Sequence, residues 1–160
     1  MLERTLILLK PDAVDRGIIG EIITRFERVG AKIIGMKMLV SEKDTAEQHY
    51  TEDLARRRGE NVRHLMIAML TSGPIVVLAL EGIDIITIVR KMIGATQPFE
   101  AAPGTIRGDY AHISYRYADE KRLVCLILFT HPVLLKMRMQ KLRFGSNQKS
   151  SYRTNQAIRV

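Results

Sequence analysis

ERTLILLKPDAVDRGIIGEIITRFE, residues 3–27, decides the fold. Thr5–Leu9 is an unbroken apolar run of the length and composition of a buried strand. Lys10-Pro11-Asp12 ends it, because proline lacks the N–H that a central ladder requires. Ile18, Ile19, Ile22, Ile23, Phe26 and Val29 then recur at helical spacing, and Gly30 supplies a C-terminal stop. A buried strand that leads into an amphipathic helix is the start of an α/β fold.

The pattern repeats downstream. Ala31–Val40 reads as a second strand. Ser41 with Asp44 has the spacing of a capping box and predicts a helix toward Tyr50. Arg56–Glu60 reads as a charged loop, and Val62–Leu70 as a helix closed by Thr71-Ser72-Gly73-Pro74. Ile75–Leu80 predicts a third strand, Ile83–Ile93 a helix ending at Gly94, and Ala95–Gly104 a loop holding Pro98 and Pro103. Tyr110–Tyr117 alternates weakly, which predicts a fourth strand. Two βαβ-like halves of this kind predict a ferredoxin-like α/β sandwich, a four-stranded antiparallel sheet covered by helices. At 160 residues the chain reads as a single domain, 1–160, with 122–160 a basic C-terminal segment of unusual composition.

The N-terminus lacks the charged, apolar and cleavage regions of a signal peptide, and apolar runs such as Leu123–Phe129 are too short to span a bilayer. The single cysteine, Cys125, excludes an internal disulfide framework. These features predict a cytoplasmic protein with no membrane partner. The net charge of +8 points by itself to an anionic partner, nucleic acid or nucleotide.

Three cations sit at element ends: Lys10 after the first strand, Arg90 late in a helix, and Arg107 in Pro103-Gly104-Thr105-Ile106-Arg107-Gly108-Asp109. Arginine suits bidentate phosphate recognition and lysine acts as a point charge. Taken singly, each is an ordinary solvated surface charge.

Together they carry a resemblance. ERTLILLKPDAVDRGIIGEIITRFE, the pair His49-Tyr50, SGPIVVLALEG, VRKMIGATQP and APGTIRGDY are similar, in order and spacing, to the nucleoside diphosphate kinase family over residues 3–117. The resemblance implies a ferredoxin-like fold and a homo-oligomer, hexameric or tetrameric. It implies transfer of a γ-phosphoryl group from a nucleoside triphosphate to an enzyme histidine and then to a nucleoside diphosphate, with Mg²⁺ held mainly by the nucleotide phosphates and by no protein ligand directly. It makes Lys10, Arg90 and Arg107 the phosphate clamp, and Tyr50 and Thr96 the accompanying hydrogen-bond donors. Such a cluster suits phosphoryl transfer, which is mostly positioning and charge neutralisation. Asp12 and His49 read as structural, and His64 and His112 as surface or packing residues. The family's base-stacking aromatic after the HY helix has no counterpart in Leu54–Val62, where Val62 offers an apolar face instead; Arg56–Arg58 reads as a solvated charge run, with added phosphate attraction the less favoured alternative.

The tail departs from the family. All 17 acidic residues lie at or before Glu120, and residues 122–160 carry 8 bases and no acid. The family's nucleophilic histidine, in a segment close to N-x-I-H-A-S, is absent. His131, before Pro132, is the candidate that the printed chain offers, with no carboxylate after Glu120 to orient it. Reading the back-translated codons of Leu126–Val133 one nucleotide earlier permits Asn-Leu-Ile-His-Ala-Ser-Gly, with the histidine codon straddling Phe129 and Thr130. The same frame across Lys141–Ser150 permits Glu-Ile-x-Leu-Trp-Phe-Lys-Pro-Glu-Glu, which matches the family's C-terminal helix and its orienting carboxylate. Compensating frameshifts near Lys121–Arg122 and Ser150–Ser151 account for both segments and for the charge break. Three functional readings follow: an active kinase whose tail is misread, a frameshifted product that binds nucleotide without turnover, and a basic-tail nucleic-acid binder. The last is disfavoured because the tail offers only Phe129, Phe144 and Tyr152 as aromatics.

Overall fold

The computed structural model describes residues 1–121 and the backbone of Leu128–Thr130. β1 (Leu2–Leu9), β2 (Lys32–Val40), β3 (Pro74–Ile83) and β4 (Leu128–Thr130) form an antiparallel sheet in the order β2-β3-β1-β4. This is the predicted ferredoxin-like arrangement.

β1 and β3 are the central strands, and helices bury both of their faces. Ile7, Leu9, Val76, Leu78 and Leu80 pack on one side with Ile22 and Phe26 of α2 (Ile19–Arg28) and Ile85, Val89 and Ile93 of α6 (Ile85–Ile93). Leu6, Leu8, Ile75, Val77 and Ala79 pack on the other with Ala46 of α3 (Lys43–His49), Tyr50, and Ile67 and Leu70 of α5 (Glu60–Thr71). Alternate residues of one strand thus feed two cores, so these strands read as continuous apolar runs. Lys10 N-caps α1 (Pro11–Asp15), with Pro11 at the first helical position, where its missing N–H costs nothing. β2 is an edge strand. Its Met36, Met38 and Val40 are 58%, 56% and 61% exposed.

Four expectations fail for identifiable reasons. Arg56–Arg58 is not loop but the last turn of α4 (Glu52–Arg58): Glu52 and Asp53 lie in its first turn and the three arginines in its last, which matches the helix dipole, and Arg57 Nε donates to Asp53 Oδ2 at 2.8 Å. The Ser41–Asp44 capping box does not form; Glu42 is the N-cap and makes no side-chain capping bond. The helix predicted from Ile83 starts at Ile85, because β3 runs on to Ile83 and the chain turns at Asp84 with φ +49°. Tyr110–Tyr117 is not a strand. Thr105 and Ser114 accept from Gly108 N and Tyr117 N and open two short helices, α7 (Ile106–Tyr110) and α8 (Tyr115–Glu120). The fourth strand is β4, within the Leu123–Phe129 run and one residue beyond it. His131 and the segment 141–150 of the shifted-frame reading lie outside the described residues.

Candidate active site

The turn around Arg107 is densely bonded. Thr105 Oγ1 accepts from Gly108 N at 3.1 Å and donates to Ala102 O at 2.6 Å. Asp109 Oδ1 accepts from Gly104 N at 2.7 Å, and its Oδ2 pairs with Arg25 Nη1 of α2 at 2.6 Å. Arg25 Nη2 also donates to Gly104 O. Tyr110 OH donates to Glu21 Oε2 at 2.8 Å. Two glycines permit this closeness. A Cβ on Gly108 would lie 2.9 Å from Ala101 O and 2.7 Å from the Ala102 carbonyl carbon, and one on Gly94, where φ is +86°, would lie 2.8 Å from Thr105 Cβ.

Arg107 is held by this frame. Its Nη1 donates to Gly94 O and Ala95 O, both at 3.0 Å. Burial lowers its pKa from the usual guanidinium value, and the Tyr115 phenol acts in the opposite direction. The same loop carries Thr96, exposed, three residues past the end of α6, whose last turn holds exposed Arg90. Arg107 therefore ties down the chain between Arg90 and Thr96 through its backbone.

Lys10 is 3% exposed at the end of β1. Its neighbours Leu9 and Ala13 share a core cluster with Ile93 and Ile106, so Lys10 and Arg107 are rooted in the same packing unit. Burial raises the pKa of Asp12, against the pull of Lys10 and Arg16, and Asp12 Oδ1 is buried with no hydrogen-bond donor. Tyr50 lies in the other core cluster, edge-on to His49 at 4.6 Å, and burial raises its phenol so that it stays a neutral donor. His64 is a surface residue beside Glu60 at 3.1 Å. Among the described residues, no three His, Cys, Asp or Glu side chains gather into a metal cage.

Sequence reasoning missed Arg25, Asp109 and Tyr115. Arg58 Cζ stands 4.4 Å from the centre of the Tyr115 ring, and Tyr115 N donates to Gln97 Oε1 at 3.3 Å. Asp109, inside the quoted APGTIRGDY, was in view; its partner Arg25 lies 84 residues away, and no local pattern joins them.

Comparison with known proteins agrees with this geometry. The family model for nucleoside diphosphate kinase matches residues 3–118. The nucleoside diphosphate kinase of Borreliella burgdorferi is 43% identical over 122 residues, 76% of this chain and 73% of that protein. That of Pyrococcus furiosus is 52% identical over 109 residues, 68% of this chain and 65% of that protein. Among solved structures, a transition-state mimic of the Borrelia burgdorferi enzyme with vanadate and ADP superposes with a TM-score of 0.77 at 40% identity, covering 81% of this chain and 78% of that one. The Halobacterium salinarum enzyme in complex with CDP gives 0.67 at 35% identity, covering 81% and 77%. Sheet order, the Arg107 turn and these matches converge: the chain belongs to the nucleoside diphosphate kinase family.

Proposed function

We propose that this protein is a nucleoside diphosphate kinase whose binding half is complete in the chain and whose nucleophile is encoded in the shifted frame. The observation that carries the reading is the Arg107 assembly, a guanidinium fixed by two carbonyls beside Thr96 and Arg90. The relatives with ADP and vanadate or with CDP support the same ligand class.

In this reading Lys10, Arg90 and Arg107 neutralise the phosphates, while Tyr50 and Thr96 donate hydrogen bonds. Lys10, Arg90 and Arg107 would hold the phosphates of a nucleotide that carries Mg²⁺, which would supply further charge neutralisation there. A clamp of cationic side chains suits a nucleotide that brings its own metal ion. A neutral imidazole attacks the γ-phosphorus. The N–P bond forms, the bond from the γ-phosphorus to the bridging oxygen breaks, and the diphosphate leaves with the electron pair. A second diphosphate then takes the phosphoryl group through its terminal oxygen, breaking the N–P bond.

The register of β4 supports the shifted frame. Phe129 and Thr130, whose codons straddle the shifted histidine, pair with Leu8 and Ile7, a short way along β1 from Lys10. The printed chain offers His131 instead. The absence of any acid after Glu120 favours a second reading for that chain, in which it binds nucleotide without turnover. Phosphohistidine labelling from γ-labelled ATP separates them. The chain with both single-base corrections takes up base-stable, acid-labile label, and the printed chain does not. A printed chain that labels, and loses its label in His131→Ala, makes His131 the nucleophile. Resequencing that returns an uninterrupted frame for 122–150 removes the frameshift altogether.

The proposal extends to a single cytoplasmic domain, 1–160, that assembles as a hexamer or tetramer. The edge of β2, unpaired among the described residues, with exposed Met36, Met38 and Val40 supports self-association. Nucleic acid has no part in it, and among the described residues no helix is long and apolar enough to cross a membrane.

A further inference from the structure

Arg25 is no member of the phosphate clamp, yet its side chain meets both ends of the turn that carries Arg107. Its Nη1 donates to Asp109 Oδ2 at 2.6 Å, and its Nη2 donates to Gly104 O. Asp109 Oδ1 accepts from Gly104 N at 2.7 Å and closes the turn on itself. One guanidinium fork therefore spans residues 104 and 109, with Arg107 between them. The turn has little else to fix it. α7 is five residues long, and of its side chains it buries only Ile106. Gly104, exposed and at φ +88°, gives the entry to the turn the widest backbone freedom. α2 is anchored in the core by Ile22 and Phe26, so a side chain of α2 extends the rigidity of the core to the turn. Arg25 is itself held. Its side chain is 21% exposed, and its Cζ stands 5.8 Å from the centre of the Tyr110 ring. One helical turn earlier, Glu21 Oε2 accepts from Tyr110 OH and makes a second tie between α2 and the turn.

We propose that Arg25 is a positioning residue of the phosphate clamp: by holding Gly104 and Asp109 together it sets where the Arg107 guanidinium stands. The inference rests on the nucleotide reading above and assigns a role to a residue that touches no ligand. The chemistry of the side chain accounts for the choice. A planar guanidinium presents two donors side by side and reaches a carboxylate and a carbonyl at once. A lysine ammonium is a point charge that keeps the ion pair to Asp109 and gives up the span to Gly104. Without that span the entry to the turn drifts, and Arg107 Nη1 no longer meets Gly94 O and Ala95 O in its present direction. A shift of about 1 Å at a positioned charge is enough to weaken the contact that it makes.

Titration of the full chain with Mg²⁺–ADP and with Mg²⁺–tripolyphosphate, which has the phosphates and no base, tests this. Arg25→Lys weakens both ligands about fivefold in the otherwise unchanged chain. In an Arg107→Met background the same substitution adds less than about a twofold loss, because its effect passes through Arg107. Tyr110→Phe removes the second tie to α2 and leaves the fork, so both affinities stay within about twofold. A loss of the same size in both backgrounds overturns the proposal and makes Arg25 a residue of fold stability alone. An unchanged affinity in Arg25→Lys overturns it, as does an equal loss in Tyr110→Phe. A loss for ADP with none for tripolyphosphate overturns it too, since the effect then does not run through a phosphate contact. All four of these outcomes leave the nucleotide reading standing. An Arg107→Met chain that binds both ligands as the wild type does removes Arg107 from the clamp, and a wild-type chain that binds neither sinks the nucleotide reading. The role of Arg25 falls with either.

Discussion

Up to Lys121 the chain holds 17 acids against 17 bases; from Arg122 onward it holds 8 bases and no acid. The first region uses its carboxylates: Asp109 ties the Arg107 turn to α2, Glu81 pairs with Arg4 at 2.7 Å, and Glu3 accepts from Ile86 N at the start of α6. The second has none to use. The family match stops at the same place, at residue 118. The contrast divides labour. Every group proposed to bind phosphate lies before the break, whereas the nucleophile and orienting carboxylate proposed from the shifted frame fall after it. Binding and chemistry are therefore separable by experiment, and the largest effect lies in the chemistry. Correcting both frameshifts raises phosphoryl transfer from ATP to a nucleoside diphosphate by at least about 10⁴-fold over the printed chain, the scale on which loss of a nucleophile is felt. ADP affinity changes little between the two. A coupled turnover assay beside a binding titration checks both halves. Equal turnover breaks the division.

The first region can be broken without touching the second. Gly108→Ala drives a methyl group into the Ala101–Ala102 backbone, which cannot yield as a flexible side chain would. A loss of about 3 kcal/mol by denaturant unfolding is expected, at the upper end of overpacking costs. A loss below about 1 kcal/mol would mean that the turn relaxes, and that Arg107 is less fixed than its two carbonyl bonds imply. Arg107→Lys is a sharper and smaller perturbation. It keeps one charge and loses the fork, so ADP and tripolyphosphate should both weaken about tenfold, with stability nearly unchanged. An unchanged affinity removes Arg107 from the clamp.

What the sequence reveals depends on whether the deciding contacts are local. β1 and β3 were legible because both of their faces are buried, so the apolar run itself is the signal. Lys10, Arg90, Thr96 and Arg107 were legible as a set because the motifs that carry them keep order and spacing. Tyr110–Tyr117, the end of α7 and the start of α8, reads as a strand because its weak alternation conceals the Ser114 cap that opens α8. Arg56–Arg58 was misread because a charge run looks like a loop until its acids are counted at the opposite helix end. The Arg25–Asp109 pair and the Arg58–Tyr115 stack were not legible at all: each joins residues far apart in the chain, and neither leaves a periodic trace.

The smallest effect separates two carboxylates of the first region by the sign of their pH dependence. Asp109 is held below its usual pKa by the Gly104 N–H first and by Arg25 next, so it stabilises the fold above the unfolded value of 3.8. That contribution is lost as pH falls through the lowered pKa. Asp12 is raised, chiefly by burial, so its carboxyl favours the fold when protonated, and that advantage is lost as pH rises through the raised pKa. Asp109→Asn should therefore lower Tm at pH 7, with the gap to wild type closing below about pH 3.8. Asp12→Asn should raise Tm at pH 7, with the gap closing as pH falls toward the same value. Melting curves across a pH series read both. If the Asp12→Asn gap keeps the same size at every pH, the buried oxygen acts through packing and not through charge, and the cost of placing a carboxylate beside Lys10 must be sought elsewhere in the turn.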